Sequence, residues 1–229
     1  MMLAVDDGTG RVVAELRRLG VEDNTMIVFT SDNGAPTKIH KEDITLDFRG
    51  GAWDGSINDP LNGEKGTLLE GGIRVPFVMT WPDRLPAGKV SDTPVITLDI
   101  AATALAAAGA TIPSNLDGVD IVPHLAGEAP APDRALFWRF WSQTAVRLGD
   151  WKLLALSSGD RYLFNLADDL EETRNRLADA PAIAAGLERR LKSWCGELTP
   201  EGLPTQPLND QERAWYAAYT GWRSKPAAP

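Results

Sequence analysis

The run of apolar residues at Thr25–Thr30 is the sequence feature that most constrains how this chain can fold. Its unbroken apolar character, rich in β-branched and aromatic side chains, predicts a strand covered on both faces, which is typical of a parallel sheet. Apolar residues at helical spacing between positions 5 and 19, followed by Gly20, predict an amphipathic helix just before it. A second apolar run, Ile73–Trp81, predicts another strand. The order of these elements indicates an α/β sheet.

The pattern changes beyond the turn-rich stretch 115–132. An alanine-rich helix is predicted at Thr97–Ala108, before this stretch, and a helix beginning with proline is predicted at Pro181–Trp194, after it. Between them, short aromatic-bearing runs separated by tight turns predict an antiparallel meander: Ala135–Phe140, Thr144–Leu148, Trp151–Leu156 and Arg161–Leu166. We therefore predict an α/β sheet domain at residues 1–132, and a small α+β C-terminal subdomain with an antiparallel sheet at residues 133–229.

Composition excludes several classes of function. The 229 residues carry a net charge of −9, so the chain lacks the basic stripe that nucleic-acid binding needs, and we expect no nucleic-acid partner. The only cysteine is Cys195 and the only histidines are His40 and His124, which excludes an internal disulfide, a thiolate zinc cluster and a multi-histidine metal site. The longest apolar stretch, Leu98–Ile112, is too short to cross a bilayer, so we expect no membrane association.

Polar residues follow directly after the first predicted strand, in the sequence Ser31–Gly34. Ligands of open α/β sheets collect at the carboxyl ends of strands, which is where Asp32 and Asn33 are expected to lie. A carboxylate beside a carboxamide offers hard oxygens that suit Ca²⁺ or Mg²⁺. The alternative is an ordinary Asx turn at the end of a strand.

A second candidate segment is Gly63–Pro76. Lys65 lies between Gly63 and Gly66, so its ammonium group can approach an anionic oxygen closely. Glu70 and Arg74 are placed to pair with each other or to hold this loop. The alternative for Lys65 is an exposed surface lysine with no ligand.

Taken together and in order, these segments resemble the type I (arylsulfatase-like) sulfatases of the alkaline phosphatase superfamily. The resemblance extends from the first helix to about residue 195, and it depends on the whole ordered set rather than on one motif. The matching segments are Phe29–Gly34, Gly66–Thr67, Glu70–Pro76, Trp81–Pro82, Leu98–Ile100, Leu116–Val119, Ala145–Leu153 and Leu163–Leu166.

The resemblance implies a partial alkaline-phosphatase-like α/β domain and a hydrolase of sulfate esters, acting on a sulfate-ester small molecule or a sulfated glycan. It implies that Asp32 and Asn33 are the downstream pair of ligands for Ca²⁺, with Mg²⁺ or Mn²⁺ as alternatives. Lys65 matches the lysine that contacts the sulfate group. Glu70 and Arg74 match residues that hold the lysine loop.

The nucleophile of that family, a formylglycine made within a Cys/Ser-x-Pro-x-Arg motif, has no counterpart here. Cys195 lacks the required Pro and Arg, and Thr80–Arg84 matches the strand-ending Trp-Pro of the family rather than its nucleophile. Asp6 and Asp7 fall within the first helix, so the upstream pair of metal ligands is missing as well. We therefore expect the isolated chain to be inactive, with the missing N-terminal half of the domain or a homo-oligomer as its partner.

Two other functions stay open at this point. A phosphonate or phosphate ester hydrolase of the same superfamily would need the same Asp, Asn and Lys, because sulfur and phosphorus centres make similar demands. A non-catalytic remnant would keep the sheet and bind no Ca²⁺.

The loop 37–62 is where substrate specificity is expected to lie. His40 is a candidate substrate contact there, with an exposed loop histidine as the alternative, and Arg49 and Trp53 are further candidates. His124 is expected to be structural. Met1–Val5 lacks the charged region and the long apolar core of a signal peptide, and both an exported and a cytoplasmic location stay open.

Overall fold

The computed structural model describes residues 2–36, 57–199, 213 and 215–221. Its elements in chain order are α1 Met2–Leu19, β1 Ile27–Thr30, α2 Glu70–Ile73, β2 Phe77–Thr80, α3 Leu98–Ala107, α4 Val122–Ala126, β3 Ala135–Phe140, β4 Gln143–Leu148, β5 Trp151–Ala155, β6 Arg161–Asn165, α5 Pro181–Glu197 and a π-helical turn Ala217–Gly221. None of the helices in the described ranges is long and apolar enough to cross a membrane.

The chain forms two compact units, and it passes between them more than once. The first unit comprises Met1–Thr30 and Pro76–Asp133, and the second comprises Ser31–Val75 and Arg134–Pro229. The expected division of the chain at residue 132 stays a prediction. The structure adds that the segment Ser31–Val75, which contains both candidate site loops, packs within the second unit.

In the first unit the prediction of parallel strands was wrong. β1 and β2 pair antiparallel, with Ile27 opposite Thr80 and Phe29 opposite Val78. The two strands form a two-stranded sheet, and Phe29 and Val78 are 38% and 59% exposed. An apolar run indicates how readily a strand is buried, but it does not indicate whether its neighbour runs parallel or antiparallel. The prediction failed for this reason.

The predicted helices of the first unit are confirmed. α1 ends at a left-handed Gly20, whose amide bonds the carbonyl of Arg17 at 3.0 Å. α3 ends in the same way before Gly109. The Asp99 carboxylate then ties α3 to a later segment, since its two oxygens accept the amides of Ile96 at 2.9 Å and Val119 at 3.0 Å.

The meander of the second unit is also confirmed. Strands β3 to β6 pair in sequence order, each antiparallel to the next. One face of this sheet packs against α5, with a core made of Val146, Leu153, Leu163, Ala184, Leu187 and Leu191. The opposite face packs against the loop that precedes α2 and against the aromatic segment near residue 216, with a core made of Leu68, Leu69, Ala145, Leu154, Leu156, Phe164, Leu166 and Tyr216. The sheet is therefore covered on both faces, and the second face carries the candidate site loops.

The start of β2 and the buried face of α5 differ from the prediction. Ile73 was expected to begin a strand, but it ends the helical turn α2, and the strand begins at Phe77. The buried positions of α5 are Ala184, Leu187 and Leu191, whereas Ile183 is exposed. In both cases packing against the sheet overrode the local apolar pattern.

Candidate functional site

The Asp-Asn-Gly loop follows β1 and is organised by its own hydrogen bonds. The Ser31 hydroxyl donates to the carbonyl of Asn33 at 2.9 Å, and the amide of Asn33 donates to Asp32 Oδ1 at 3.0 Å. Asn33 Nδ2 donates to the carbonyl of Gly34 at 3.1 Å. Asp32 is exposed and Asn33 is half-buried. This segment, called the Asp-Asn turn below, is therefore held by bonds between near neighbours and leaves the Asp32 carboxylate facing solvent.

The lysine loop is joined to this turn by backbone hydrogen bonds. The Gly34 amide donates to the carbonyl of Gly72 at 2.9 Å, and the Lys65 amide donates to the carbonyl of Ala35 at 3.3 Å. Asn58 bridges the two segments, because its side chain accepts the Ala35 amide at 2.9 Å and donates to the carbonyls of Ala35 at 2.8 Å and Gly63 at 3.0 Å. The two predicted site segments, separated by some thirty residues in sequence, lie side by side in the second unit.

Glycines allow this close approach. A Cβ at Gly34 would overlap the carbonyl oxygen of Gly71, and a Cβ at Gly71 would stand 2.6 Å from the carbonyl oxygen of Asn62. A Cβ at Gly72 would overlap the carbonyl oxygen of Thr67. Each obstacle is backbone, which cannot move aside as a flexible side chain can. The role of Gly34 is therefore close packing against Gly71 and Gly72.

The donor chemistry of the Asp-Asn turn suits a hard divalent cation only in part. A carboxylate and a carboxamide are oxygen ligands of the kind Ca²⁺ takes, but Ca²⁺ takes roughly six to eight such oxygens. Within the described ranges no group of three or more His, Cys, Asp or Glu side chains is placed to hold a metal. Asp32 and Asn33 can therefore contribute to a metal site but do not form a complete one.

The other residues predicted to contact a ligand or to be structural lie in different parts of the chain. Lys65 is exposed, so its ammonium group is free to approach a ligand from solvent. His40, Arg49 and Trp53 lie outside the described residues. His124 lies in the first unit, where its Nε2 contacts the Thr93 hydroxyl at 2.9 Å.

Sequence reasoning missed a buried ion triad beneath the lysine loop. Lys152 on β5 is fully buried, and its Nζ donates to Glu70 Oε1 at 2.8 Å and to Glu172 Oε1 at 2.9 Å. Glu172 Oε2 accepts the backbone amide of Glu70 at 2.7 Å. Arg74 pairs with the other oxygen of Glu70 at 3.4 Å, so the expected pairing of these two residues is confirmed. The available signal was a lysine in the middle of an apolar strand, which requires a buried partner.

The two carboxyls of this triad differ in the net direction in which their pKa is shifted. Burial raises the pKa of Glu172 to about 7, and the nearby Glu70 adds to this, although Lys152 opposes it. Burial also opposes ionisation of Glu70, but the charge and hydrogen bond of Lys152 and the nearby Arg147 and Arg74 hold the pKa of Glu70 below its ordinary value. Burial disfavours the Lys152 ammonium, yet the two carboxylates raise the pKa of Lys152 above its ordinary value. Within this triad, Glu172 is therefore the carboxyl that is protonated first on acidification.

A second missed feature fixes the lysine loop from the other side. Gln143 at the start of β4 is buried, and its side chain accepts the Leu68 amide at 3.2 Å and donates to the Gly66 carbonyl at 3.0 Å. The Tyr216 hydroxyl bonds Gln143 Oε1. The indole of Trp215 covers Gly66, leaving no room for a Cβ there. The aromatic residues of the tail thus pack against the loop that presents Lys65.

Two family models match the chain. The model described as Sulfatase matches residues 1–110, and the model described as N-sulphoglucosamine sulphohydrolase, C-terminal, matches residues 63–195. The two matches overlap across the segment that contains Lys65, Glu70 and Arg74. Together they cover both compact units.

Named relatives agree with these models. The chain is 36% identical to N-acetylgalactosamine-6-sulfatase of Canis lupus familiaris over 65% of this chain and 27% of that protein. It is 31% identical to a sulfatase of Formosa agariphila over 81% of this chain and 35% of that protein. The solved structure of Ps i-CgsB in complex with k-i-k-neocarrahexaose is 30% identical, with a TM-score of 0.74, covering 95% of this chain and 46% of that one. The chain thus spans about a third or less of the length of these curated relatives and about half of the solved structure. It belongs to the type I sulfatase family of the alkaline phosphatase superfamily.

Proposed function

We propose that this chain contributes part of a hydrolytic site for sulfate esters, with Asp32 and Asn33 as metal ligands and Lys65 as the cation that contacts the sulfate group. The observation that supports this most directly is the joining of the two loops, through the bonds from Gly34 to Gly72 and from Lys65 to Ala35. It holds an oxygen donor pair and a lysine on adjacent segments. Sulfatase-family membership supplies the reaction class.

In this proposal each residue has one task. Lys65 offers a cationic side chain that offsets negative charge on the sulfate oxygens as it develops. Asp32 and Asn33 supply hard oxygens to a divalent ion, for which Ca²⁺ is the first candidate and Mg²⁺ or Mn²⁺ the alternatives. When bound, such an ion would polarise the ester oxygens. Gly34, Gly71 and Gly72 keep the two loops in register by close packing.

The nucleophile is assigned to a partner in this proposal. The sequence contains no Cys/Ser-x-Pro-x-Arg motif, so a second copy of the chain would not supply one either. This favours the remaining half of a sulfatase-type domain over a homo-oligomer as the partner that completes the site. The isolated chain is then expected to bind ions without turning over substrate.

For the substrate we propose a sulfated glycan. The structure of Ps i-CgsB, to which the chain is 30% identical, contains k-i-k-neocarrahexaose. His40, Arg49 and Trp53 are proposed as contacts for such a substrate, because a cation can meet a second anionic group and an aromatic ring can stack on a sugar.

Calorimetric titration of the chain with CaCl₂ tests the metal part of the proposal. We expect binding that Asp32→Ala abolishes and that Asp83→Ala, a change at an exposed aspartate of the other unit, leaves unchanged. Absence of calcium binding to the unaltered chain would favour the non-catalytic remnant.

Titration with an aryl sulfate and its phosphate analogue in the presence of calcium tests the role of the lysine. Lys65→Ala is expected to weaken binding of the aryl sulfate about tenfold or more, whereas Lys192→Ala, on the exposed side of α5, leaves it unchanged. Tighter binding of the phosphate ester would favour the phosphate or phosphonate hydrolase, and robust hydrolysis by the isolated chain would contradict the incomplete site.

A further inference from the structure

We propose that Lys152 is a positioning residue for the candidate site, which acts through the buried triad of Glu70, Lys152 and Glu172 to hold the Asp-Asn turn and the lysine loop in place. This inference rests on the proposed function for its consequence in ligand binding. The positioning of the two loops by Lys152 is argued from the contacts of the triad alone.

The first step is the anchoring of Glu70 to the meander. Lys152 stands on the sheet face that meets the lysine loop, with the same orientation as Leu154, which belongs to the core on that face. It bonds both carboxylates at 2.8 and 2.9 Å, and Glu172 in turn accepts the Glu70 amide. Glu70 is therefore fixed at its side chain and at its backbone by two groups from distant parts of the sequence.

The second step runs from Glu70 to the Asp-Asn turn. Glu70 is followed directly by Gly71 and Gly72, and the Gly72 carbonyl accepts the Gly34 amide at 2.9 Å. The Gly71 amide donates to the carbonyl of Asn62, and its carbonyl oxygen lies against Gly34. Since these contacts are backbone against backbone with no room for a Cβ, displacement of Glu70 would displace Gly34 and the two residues before it.

The energetics favour a role in geometry over one in stability. Burying three charged groups costs desolvation energy, and a well-packed apolar replacement of such a triad is often as stable or more so. Glu172 is also held at φ 53°, in the left-handed region that non-glycine residues seldom occupy. Glu172 is thus a strained residue in a cluster whose burial costs desolvation energy. The position that Glu172 enforces on Glu70 explains this arrangement better than a net gain in stability does.

Native-state amide exchange of the full 229-residue chain tests the inference directly. In Lys152→Met we expect the amides of Gly34, Lys65 and Gly71 to exchange about tenfold faster or more, while the amides of β3 and β4 keep their protection. The matched control is Arg161→Met, on the neighbouring strand β6. It removes an exposed ion pair with Glu188 of α5 and is expected to leave all three amides unchanged. Uniformly faster exchange across the meander, or no change at the three amides, would overturn the inference.

Loss of one buried charge can prevent folding, so Glu172→Gln provides a second variant. It keeps the pairing of Lys152 with Glu70. The carboxamide, however, replaces one of the two accepting oxygens of Glu172 with an NH2 donor, which then faces either the Lys152 ammonium or the Glu70 amide. We expect a smaller increase in exchange, about threefold, confined to the same three amides. Unchanged exchange in this folded variant would also overturn the inference.

Calcium titration of the same variants tests the functional consequence. Glu172→Gln is expected to weaken calcium binding at least several-fold although neither Asp32 nor Asn33 is altered, and Arg161→Met is expected to retain it. Unaltered affinity in Glu172→Gln would overturn the functional part. If the unaltered chain bound no calcium, the proposed function would fail, while the exchange measurement would still decide whether Lys152 positions the loops.

Discussion

Gly34 shows how a single residue controls the candidate site. In Gly34→Ala the new methyl group would overlap the backbone carbonyl of Gly71, so one of the two loops must move. We expect a loss of about 2 kcal/mol or more in the free energy of unfolding, measured by denaturant titration. Gly10→Ala is the control: Gly10 lies inside α1 with nothing near its Cβ position, so alanine there should stabilise by about 0.5–1 kcal/mol. Equal effects at the two positions would contradict the close packing described here.

Glu172 makes the stability of the chain depend on pH in an unusual direction. Its pKa is raised to about 7 in the folded state from an ordinary value of 4.5, mainly by burial. The folded state therefore binds a proton more tightly than the unfolded state between these values, and stability is greatest at the acidic end and falls as the pH rises toward 7. The lowered pKa of Glu70 acts below 4.5 and does not cancel this trend.

Measurement of unfolding free energies between pH 5 and pH 7.5 checks this prediction. We expect a decrease on the order of a few kcal/mol across this range, which Glu172→Gln removes because the group no longer titrates. A stability that rises with pH in the unaltered chain would show that Glu172 is ionised throughout, with Lys152 dominating over burial.

Among the elements, those defined by local signals could be predicted and those defined by distant partners could not. α1 and α3 follow from helical periodicity with a terminal glycine, and the meander follows from short strands separated by tight turns. The direction of the β1–β2 pairing and the helical turn at Ile73 depend on contacts between segments far apart in sequence. The same division applies to the site: motifs identified Asp32 and Lys65, but the triad required three separate segments to be brought together.

The aromatic segment near residue 216 illustrates an element whose role depends on its partner. Tyr216 is 3% exposed. Its hydroxyl donates a hydrogen bond to the side-chain oxygen of Gln143 and accepts one from the Leu68 amide at 3.3 Å. Tyr216→Phe removes this hydroxyl and leaves buried polar groups with one partner fewer, so we expect a loss of about 1–2 kcal/mol in unfolding free energy by denaturant titration.

The control for this change is Tyr162→Phe. The Tyr162 hydroxyl is only part-buried and contacts the Thr220 hydroxyl at 3.2 Å, where water can replace the lost bond. We expect its removal to cost less than about 0.5 kcal/mol. A cost at Tyr162 equal to that at Tyr216 would indicate that burial of the bond does not decide its contribution.

On the scale of the whole molecule, the two compact units differ in how their elements are supported. α1 buries none of its residues, and β1 and β2 form a two-stranded sheet, which is marginally stable in isolation. α1 likewise lacks a buried face, and packing of such a face supplies most of the stability of helices in proteins. The meander of the second unit has cores on both faces, including residues with no exposed surface such as Val146, Leu153 and Leu163. The loops with Asp32 and Lys65 pack within this better-supported unit.

Hydrogen exchange across the whole chain is therefore expected to be strongly uneven. Amides of β4 and β5 should exchange only through global unfolding. Those of α1, β1 and β2 should exchange by local opening, at rates about a hundredfold faster or more. Leu153→Ala removes a fully buried side chain, at a cost of about 2–5 kcal/mol, and should lower the protection of every strand of the meander together. Val12→Ala, at a residue 58% exposed on α1, should leave that protection unchanged. Equal protection of β1 and β5 in the unaltered chain would contradict this division, because it would require that β1 open only with the whole molecule despite its exposed face.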